Sequence, residues 1–244
     1  MKQLNPHISV DCVIFAFDSE AIKVLLVKRR LQKPAKAYVK LKLPGDLVFE
    51  DEDLNDAAAR VMRDLTGLKD LYLKQFMVFG SPDRISGKRA DLEWLQRTSQ
   101  LPINRVVTIA YYALLNLEKN SKLATLINKD AEWYDVTALP ELAFDHAEIV
   151  QGGLSAIKRE LQYEPLEFEL LPKKFTIRQL QTLYEQLFHI TLDSRNFRKK
   201  QATLGYIIPL DEKEKNVAHK PAQFFRFDKK KYQQAKENNL AYSL

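Results

Sequence analysis

The side chains best suited to specific chemistry cluster between residues 195 and 200 of the 244-residue chain. The cluster comprises Arg195, Asn196, Arg198, Lys199 and Lys200. Arginine can form two hydrogen bonds with the edge of guanine, asparagine can do the same with adenine, and lysine can bind a phosphate. This combination predicts contact with DNA. A solvated helix face is the alternative interpretation of such a basic cluster.

Two predicted helices would position the cluster. Apolar residues recur at helical spacing from Phe175 to Phe188, and Thr176 is a candidate cap for that helix. Asp193 or Ser194 can cap the second helix, which carries the cluster and turns Phe197 inward. A helix, a short turn and a second helix with base-reading residues near its start form the arrangement that enters the major groove.

A predicted wing follows the second helix. Residues 207–209 and 222–227 read as two short strands that flank a charged loop. Residues 165–244 are therefore predicted to form a small winged helix-turn-helix domain. Further DNA contacts are expected outside the 195–200 cluster, from Thr176, Arg178, Gln179, His219 and Lys220.

The charge distribution supports a polyanionic partner for this domain. Residues 166–244 contain 15 Lys and Arg against 9 Asp and Glu, whereas the rest of the chain contains 23 of each. The whole formal excess of +6 therefore lies in the last third of the chain, as expected for a DNA-binding segment. Agreement between the helix pair, the wing and this asymmetry favours DNA contact over a solvated face.

Composition is that of a globular protein, with 45% apolar and 29% charged residues and no apolar run as long as a membrane span. The first ten residues lack the features of a signal peptide, and the single cysteine, Cys12, cannot form an intramolecular disulfide. A cytoplasmic location is therefore expected. Cys12 lies in an apolar run, which predicts a buried thiol rather than a nucleophile.

Residues 1–164 predict a mixed α/β domain. Strands are expected at Ser9–Phe17, Ile22–Arg29, Leu71–Phe79, Val106–Leu117 and Ala131–Val136. A helix is expected from about Leu54 to Leu65, with Gly67 just beyond its end. The polar stretch 81–105 predicts a long loop that carries function or partial disorder.

A last helix is expected at the end of this domain. Asp145 is placed to cap it, and the helix is predicted to continue through Tyr163 with a weak point or bend at Gly152-Gly153. The boundary between the two domains is placed at Glu164-Pro165, because a helix seldom continues through the residue before a proline.

The segment from Leu43 to Leu68 resembles the Nudix box, aligned on Arg60 and Gly67. Glu52 then takes the first glutamate position, but Val61 and Leu65 stand at two later glutamate positions and Asp64 at a third. In Nudix hydrolases these carboxylates bind the divalent cations that activate water. Valine and leucine cannot bind a metal, so the resemblance implies the fold without catalytic residues, metal or cofactor. A chance match to an amphipathic helix is the alternative.

Both halves together resemble the Nudix-related transcriptional regulators, in which a non-hydrolysing Nudix domain precedes a winged helix. The resemblance is carried by Leu43-Pro44-Gly45, the box helix to Gly67, Phe144-Asp145-His146, Leu170-Leu171-Pro172, Phe175-Thr176, Gln179-Leu180-Gln181, Tyr184-Glu185, Asp193, residues 195–199 and residues 219–222. It implies a Nudix-type α/β/α sandwich at residues 1–164, followed by the winged helix at 165–244. It also implies a homodimer on a palindromic operator and a small effector, either ADP-ribose or a pentose such as arabinose.

The effector is expected in the cleft between the box helix and the strands. Candidate lining residues are Arg29, Arg60, Asp64, Asp83 and Arg84. His146 is expected to pack or to form a hydrogen bond at the helix start rather than to bind a metal. Two other functions remain open, an active Nudix hydrolase of ADP-ribose or a related nucleotide, and an inactive scaffold that binds RNA or a protein.

Overall fold

A computed structural model describes residues 3–29, 40–69, 71–85, 89–117, 130–215, 217–218 and 220–237. The contacts divide the chain into two compact units. Unit 1 comprises Met1–Ala16, Lys23–Leu114 and Asn120–Ala156, and unit 2 comprises Phe17–Ile22, Leu115–Lys119 and Ile157–Leu244. None of the described helices is long and apolar enough to span a bilayer.

The described part of residues 1–160 combines strands with helices. The described elements are β1 Leu4–Phe17, β2 Ile22–Lys28, β3 Leu41–Lys42, β4 Gly45–Phe49, α1 Leu54–Thr66, β5 Lys74–Phe79, α2 Arg89–Ser99, β6 Val107–Asn116, β7 Ala131–Asp135 and α3 His146–Glu160. Within the described ranges the strands form a seven-stranded sheet in the order β3-β2-β1-β6-β5, in which β4 also pairs with β1 and β7 with β2. All five predicted strands are present.

Helix α1 shows why the sequence prediction succeeds in this region. The Asp53 side chain caps the helix by accepting a hydrogen bond from the Asn55 backbone amide, and Gly67 ends it with a left-handed φ of 79°. A left-handed residue at this position favours glycine. Between these ends, Ala57, Ala58, Val61 and Met62 form the buried face. The predicted helix from Leu54 to Leu65 is confirmed and continues for one further residue.

Helix α2 corrects the prediction of a long polar loop at 81–105. It occupies Arg89–Ser99, and its partly buried Leu92 and Leu95 pack on a core cluster that includes Ile103 and Phe144. Asp91 occupies the fully buried position of its first turn. Because a carboxylate stands where the helical pattern requires an apolar residue, the periodicity is broken and the stretch resembles a loop.

Helix α3 differs from its prediction in three respects, the first being that it ends at Glu160 rather than at Tyr163. The Asp145 carboxylate pairs with Arg84 instead of capping the helix, while its backbone oxygen accepts the Ile149 amide at 3.2 Å. The helix runs without interruption from His146 to Glu160, so the glycine pair does not break it. A Cβ atom at Gly153 would lie 3.0 Å from Phe15 Cε2. The small residue therefore allows close packing on the sheet.

Unit 2 contains the predicted helix pair and wing. Its described elements beyond residue 160 are α4 Glu167–Leu170, β8 Phe175–Thr176, α5 Ile177–Phe188, α6 Ser194–Thr203, β9 Ile207–Lys213, β10 Gln223–Phe227 and α7 Lys229–Glu237. Strands β9 and β10 are antiparallel, and β8 pairs with β10 on the other side. Helices α4 and α7 were not predicted.

Aromatic side chains form much of the core of unit 2. The Phe168 and Phe227 rings stack with centroids 4.0 Å apart, and Tyr232 of α7 packs edge-on against Tyr206 at 5.2 Å. Tyr232 is buried, so α7 belongs to this core. Its remaining residues are mostly Lys and Gln, and such a polar composition gives little helical signal in the sequence.

Candidate functional site

Unit 1 contains a cavity of about 660 Å³, within the size range of small-molecule sites. One wall comes from α2, through Trp94, Leu95, Thr98 and Ser99. The sheet, α1, the start of α3 and the connecting loops supply the remaining lining residues, which are Leu4, Ser9, Asp11, Val27, Lys28, Arg29, Lys42, Gly45, Asp46, Leu47, Asp64, Leu65, Arg84, Ile85, Val106, Thr108, Asp130, Phe144 and His146. The lining mixes apolar surface with four basic and four acidic side chains.

A buried polar network forms part of this lining around Asp11. The Thr108 hydroxyl donates a hydrogen bond to Asp11 Oδ2 at 2.9 Å, and Lys42 Nζ donates to the backbone oxygen of Gly45 at 2.6 Å. Burial raises the pKa of Asp11, although the charges of Lys42 and Arg84 and the bond from Thr108 oppose this shift. Burial also lowers the pKa of Lys42, against the opposing effect of Asp11.

His146 joins this network in its neutral form. Its Nδ1 accepts a hydrogen bond from the Leu43 amide at 2.8 Å, so the ring proton is carried by Nε2, which lies 3.5 Å from Asp11 Oδ1. Burial, followed by the nearby charge of Lys42, lowers the pKa of His146 to about 3. The predicted bonding role at the helix start is confirmed.

Arg29 directly follows the end of β2 and is buried. Its side chain is 6% exposed, Nη1 donates to the carboxylate of Asp91, and the guanidinium lies 5.0 Å from the centroid of the Trp94 ring. Asp91 Oδ2 accepts the Phe144 amide at 2.9 Å. Although burial raises the pKa of Asp91, the bonds from Phe144 and Arg29 and the charge of Lys40 hold it below its usual value.

Arg84 is engaged in a buried ion pair at another part of the cavity. Its Nε donates to Asp145 Oδ2 at 2.8 Å, and Nη2 donates to Oδ1 at 2.7 Å. A third donor, Nη1, lies 3.2 Å from the backbone oxygen of Val106. Such a two-point pair holds the start of α3 next to the 81–85 segment.

In unit 2, helix α6 presents the predicted basic cluster to solvent. Asp193 caps the helix by accepting the Asn196 amide at 2.8 Å, which selects one of the two predicted caps. Phe197 is buried and contacts the Tyr184 ring of α5 with centroids 5.9 Å apart. The opposite face is available for binding. Its exposed members are Arg195, Asn196, Arg198 and Lys199, with Lys200 half-buried.

Comparison with known proteins relates both units to one family. Residues 5–152 match the NUDIX domain, and residues 167–227 match the NrtR DNA-binding winged helix domain. The chain is 30% identical to the ADPR responsive transcriptional repressor NtrR of Acinetobacter baylyi, over 91% of this chain and 82% of that protein. The chain belongs to the NrtR-type Nudix regulators. The predicted class, a DNA-binding transcriptional regulator with a Nudix domain, is thereby confirmed.

Other relatives share the fold or one domain. The crystal structure of Shewanella oneidensis NrtR complexed with a 27mer DNA aligns with a TM-score of 0.67 and 22% identity, covering 92% of this chain and 94% of that one. The Nudix part is also 30% identical to an ADP-ribose pyrophosphatase of Methanocaldococcus jannaschii, over 61% of this chain and 73% of that enzyme. The predicted Nudix fold followed by a winged helix is confirmed.

The charged residues of the Nudix box form ion pairs with neighbouring arginines. Glu52 bonds to Arg60 through both carboxylate oxygens, at 2.7 and 2.8 Å, while Val61 is buried and Leu65 is half-buried. Asp64 lies 3.1 Å from the Arg63 guanidinium. In the described ranges, no three His, Cys, Asp or Glu side chains are grouped closely enough to hold one ion.

Three of the five predicted effector residues line the cavity, namely Arg29, Asp64 and Arg84. The other two do not belong to its lining. Arg60 is held by Glu52 and Asp46 over the Phe49 ring, and Asp83 is exposed on the 81–85 segment. Sequence reasoning missed Lys42 and Trp94. Nothing in the local pattern distinguishes them, because strands and helices distant in sequence bring them to the cavity.

The residues predicted to contact DNA outside the 195–200 cluster differ in how exposed their side chains are. Thr176 is buried as the cap of α5, and its side chain and that of Gln179 form a reciprocal capping box. Arg178 and Lys220 are exposed, whereas His219 lies outside the described residues. A DNA-binding role for Thr176, Gln179, Arg178 and Lys220 stays a prediction.

Proposed function

We propose that this chain represses or activates transcription by binding DNA through α6 and the wing, and that its Nudix domain binds ADP-ribose without hydrolysing it. The observation that carries the proposal is the 660 Å³ cavity, whose lining combines an aromatic ring with buried cationic and hydroxyl groups. A nucleotide sugar requires both kinds of surface, one for its base and one for its phosphates and hydroxyls.

The relatives favour ADP-ribose over a pentose. The regulator from Acinetobacter baylyi is named for its response to ADPR, and the archaeal enzyme is named as an ADP-ribose pyrophosphatase. Arabinose lacks both base and phosphate, so it would leave much of this cavity unused. The proposed domains are residues 1–164 and 165–244. The proposed assembly is a cytoplasmic homodimer bound to a palindromic operator, because a two-fold symmetric protein presents identical surfaces to the two halves of a palindrome.

Binding without hydrolysis follows from the composition of the box. The carboxylate of Glu52 is committed to Arg60, and Val61 and Leu65 offer no oxygen to a cation. A diphosphate bound nearby would therefore lack the metal-activated water that Nudix hydrolysis requires. The similarity to the archaeal pyrophosphatase nevertheless makes hydrolysis the second candidate function.

The test begins with a DNA duplex selected from a random library by the pure full-length protein. Binding of this duplex is followed by fluorescence anisotropy with and without ADP-ribose or arabinose, and each ligand is also titrated by calorimetry. We expect ADP-ribose to bind and to change DNA affinity at least several-fold, and arabinose to do neither. ADP-ribose should remain intact after incubation with the protein and Mg²⁺. Catalytic release of AMP would instead establish a hydrolase, and a response to arabinose alone would establish a sugar sensor.

Substitutions in α6 should separate base reading from phosphate binding. Asn196 is exposed near the start of the helix, so Asn196→Ala should cost about 1–3 kcal/mol on the selected duplex and relax the preference at one base pair. Lys220→Ala should instead weaken all duplexes alike and lower the salt slope by about one unit.

The measurement is a salt series on selected and scrambled duplexes. Arg97→Ala removes one exposed positive charge from α2 in the Nudix domain and should leave both curves unchanged. Equal weakening of the two duplexes by Asn196→Ala would show that this residue does not read bases.

A further inference from the structure

Three strands belong to unit 1 over most of their length and to unit 2 at one end. Strand β1 supplies Asp11 to the lining of the cavity, β2 supplies Lys28 and β6 supplies Thr108. The other ends of these strands lie in the segments Phe17–Ile22 and Leu115–Lys119, which belong to the same compact unit as the winged helix. A change at the cavity can therefore be carried to unit 2 along hydrogen-bonded strands.

The turn between β1 and β2 is bonded to the first helix of the predicted DNA-binding pair. Gln179 Nε2 donates a hydrogen bond to the Ser19 hydroxyl at 2.9 Å, and both residues lie in unit 2. Ser19 has a left-handed φ of 78°, which in a residue other than glycine persists only where surrounding contacts fix it. Asp18 Oδ1 supplies such contacts by accepting the backbone amides of Glu20 and Ala21. The turn thus holds the Ser19 hydroxyl in a defined position.

Gln179 also closes the N-terminal cap of α5. Its Oε1 accepts the Thr176 amide at 2.8 Å, and the Thr176 hydroxyl accepts the Gln179 amide at 3.2 Å. The nitrogen and the oxygen of one side-chain amide group therefore bond to the turn and to the helix cap respectively. The turn cannot move away from the start of α5 without breaking one of these two bonds.

A second link joins the end of β6 to the same body. Asn116 Nδ2 donates to the backbone oxygen of Leu170 in α4 at 2.7 Å, and both residues are buried. Helix α5 packs in turn on α6, through the Tyr184 and Phe197 rings, with centroids 5.9 Å apart. Displacement of the strand ends would therefore act on the body that holds α6, the helix with the predicted base-reading side chains.

We propose that the hydrogen bond between Ser19 and Gln179 couples the cavity to the DNA-binding helices, so that a ligand in the cavity changes DNA affinity through the β1–β2 turn. The inference rests on the proposed function and specifies how the Nudix domain regulates DNA binding. Ser19 is not among the described residues that line the cavity, so it acts as a positioning residue. Coupling of this kind is reciprocal, because bound DNA must change ligand affinity by the same factor.

The test measures this coupling factor in full-length Ser19→Gly. Glycine removes the hydroxyl and readily adopts the left-handed backbone at this position. Affinity for the selected duplex is measured by anisotropy with and without ADP-ribose, and affinity for ADP-ribose is measured by calorimetry with and without the duplex. We expect the substitution to reduce the coupling factor by about threefold or more in both measurements. DNA affinity without ADP-ribose should change much less.

Glu20→Gly is the matched control, because it introduces glycine into the same turn at an exposed position. Its coupling factor should equal that of the wild type. Thermal unfolding of both variants identifies a merely structural role for Ser19. Such a role would lower the melting temperature of Ser19→Gly and leave its coupling factor unchanged, which would overturn the inference.

Hydrogen exchange in the wild-type protein tests the same coupling without any substitution. ADP-ribose should change the exchange of backbone amides in peptides that cover Phe17–Ile22 and the first turn of α5, because local opening there depends on the contacts of the turn. Unchanged exchange in both peptides at saturating ADP-ribose would also overturn the inference.

The outcomes separate the inference from the proposed function. If ADP-ribose changes DNA affinity equally in wild type, Ser19→Gly and Glu20→Gly, the role of Ser19 is wrong and the proposed regulator stands. If ADP-ribose does not bind the wild type, or binds without changing its DNA affinity, the proposed function and the inference are both wrong. Loss of coupling in Ser19→Gly alone supports both.

Discussion

Arg84→Ala is expected to destabilise the Nudix domain by about 3–5 kcal/mol, the usual cost of removing one partner from a buried ion pair. The Arg84 and Asp145 side chains are only 5% and 8% exposed, so the remaining carboxylate would be left with little access to water. The backbone oxygen of Val106 would also lose a donor. Urea denaturation of the full-length protein measures the effect as a lower midpoint for the Nudix transition.

A double variant identifies the cause of this loss. Arg84→Ala with Asp145→Ala removes both charges and should be less destabilised than the sum of the single variants, which is the signature of a coupled pair. Arg89→Ala is the matched control, because Arg89 pairs with Glu93 on the surface of α2 and is 91% exposed. Its effect should be small. Should Arg84→Ala unfold like wild type yet lose ADP-ribose affinity, Arg84 would be a ligand contact and not a structural residue.

The sequence predicts the winged helix well because each element there carries complete local signals. Thr176 and Asp193 cap the two helices, and Phe197 forms the buried side of α6. The wing consists of two strands with apolar residues that flank a charged loop. Helix α4 has only four residues and α7 begins with three lysines, so neither provides the apolar repeat on which the prediction depends.

The cavity could be predicted only in part. Arg29, Asp64 and Arg84 were assigned correctly to its lining, because resemblance to the Nudix fold indicates which segments surround the cleft. The sequence does not reveal that Arg84 pairs with Asp145, 61 residues away, whereas the Arg29 Nε–H has no hydrogen-bond partner among the described residues. Arg29 and Arg84 are the same type of residue with the same charge, so only contacts with segments distant in sequence distinguish them.

The buried carboxyl group of Glu167 should make the free energy of unfolding of the winged helix domain depend on pH. Its carboxyl group is buried, Oε1 accepts the Tyr184 hydroxyl at 2.9 Å, and Oε2 has no hydrogen-bond partner within the described residues. Burial raises the pKa of Glu167 from 4.5 to about 7, although its own backbone amide and the bond from Tyr184 oppose the shift. The ionisable side chains of the surrounding core are tyrosines, Tyr184, Tyr206 and Tyr232, which remain neutral near pH 7.

The direction of the effect follows from proton binding. Between about pH 4.5 and 7 the folded domain holds a proton on Glu167 that the unfolded chain has released, so the free energy of unfolding falls as the pH rises. The stabilisation is complete below pH 4.5 and lost above about pH 7. A shift of this size corresponds to about 3 kcal/mol, since one pKa unit equals about 1.4 kcal/mol.

Glu167→Gln should remove this dependence, because glutamine keeps an acceptor for Tyr184 but does not ionise. The variant should match wild type near pH 4.5 and exceed its stability by about 3 kcal/mol at pH 8. Taking the difference between the two proteins at each pH cancels the titration of other groups, including His146, whose pKa is lowered to about 3. Glu169→Gln makes the same charge change at an exposed position of α4 and should show no such trend. A constant difference between Glu167→Gln and wild type from pH 4.5 to 8 would show that Glu167 does not retain its proton in the folded domain.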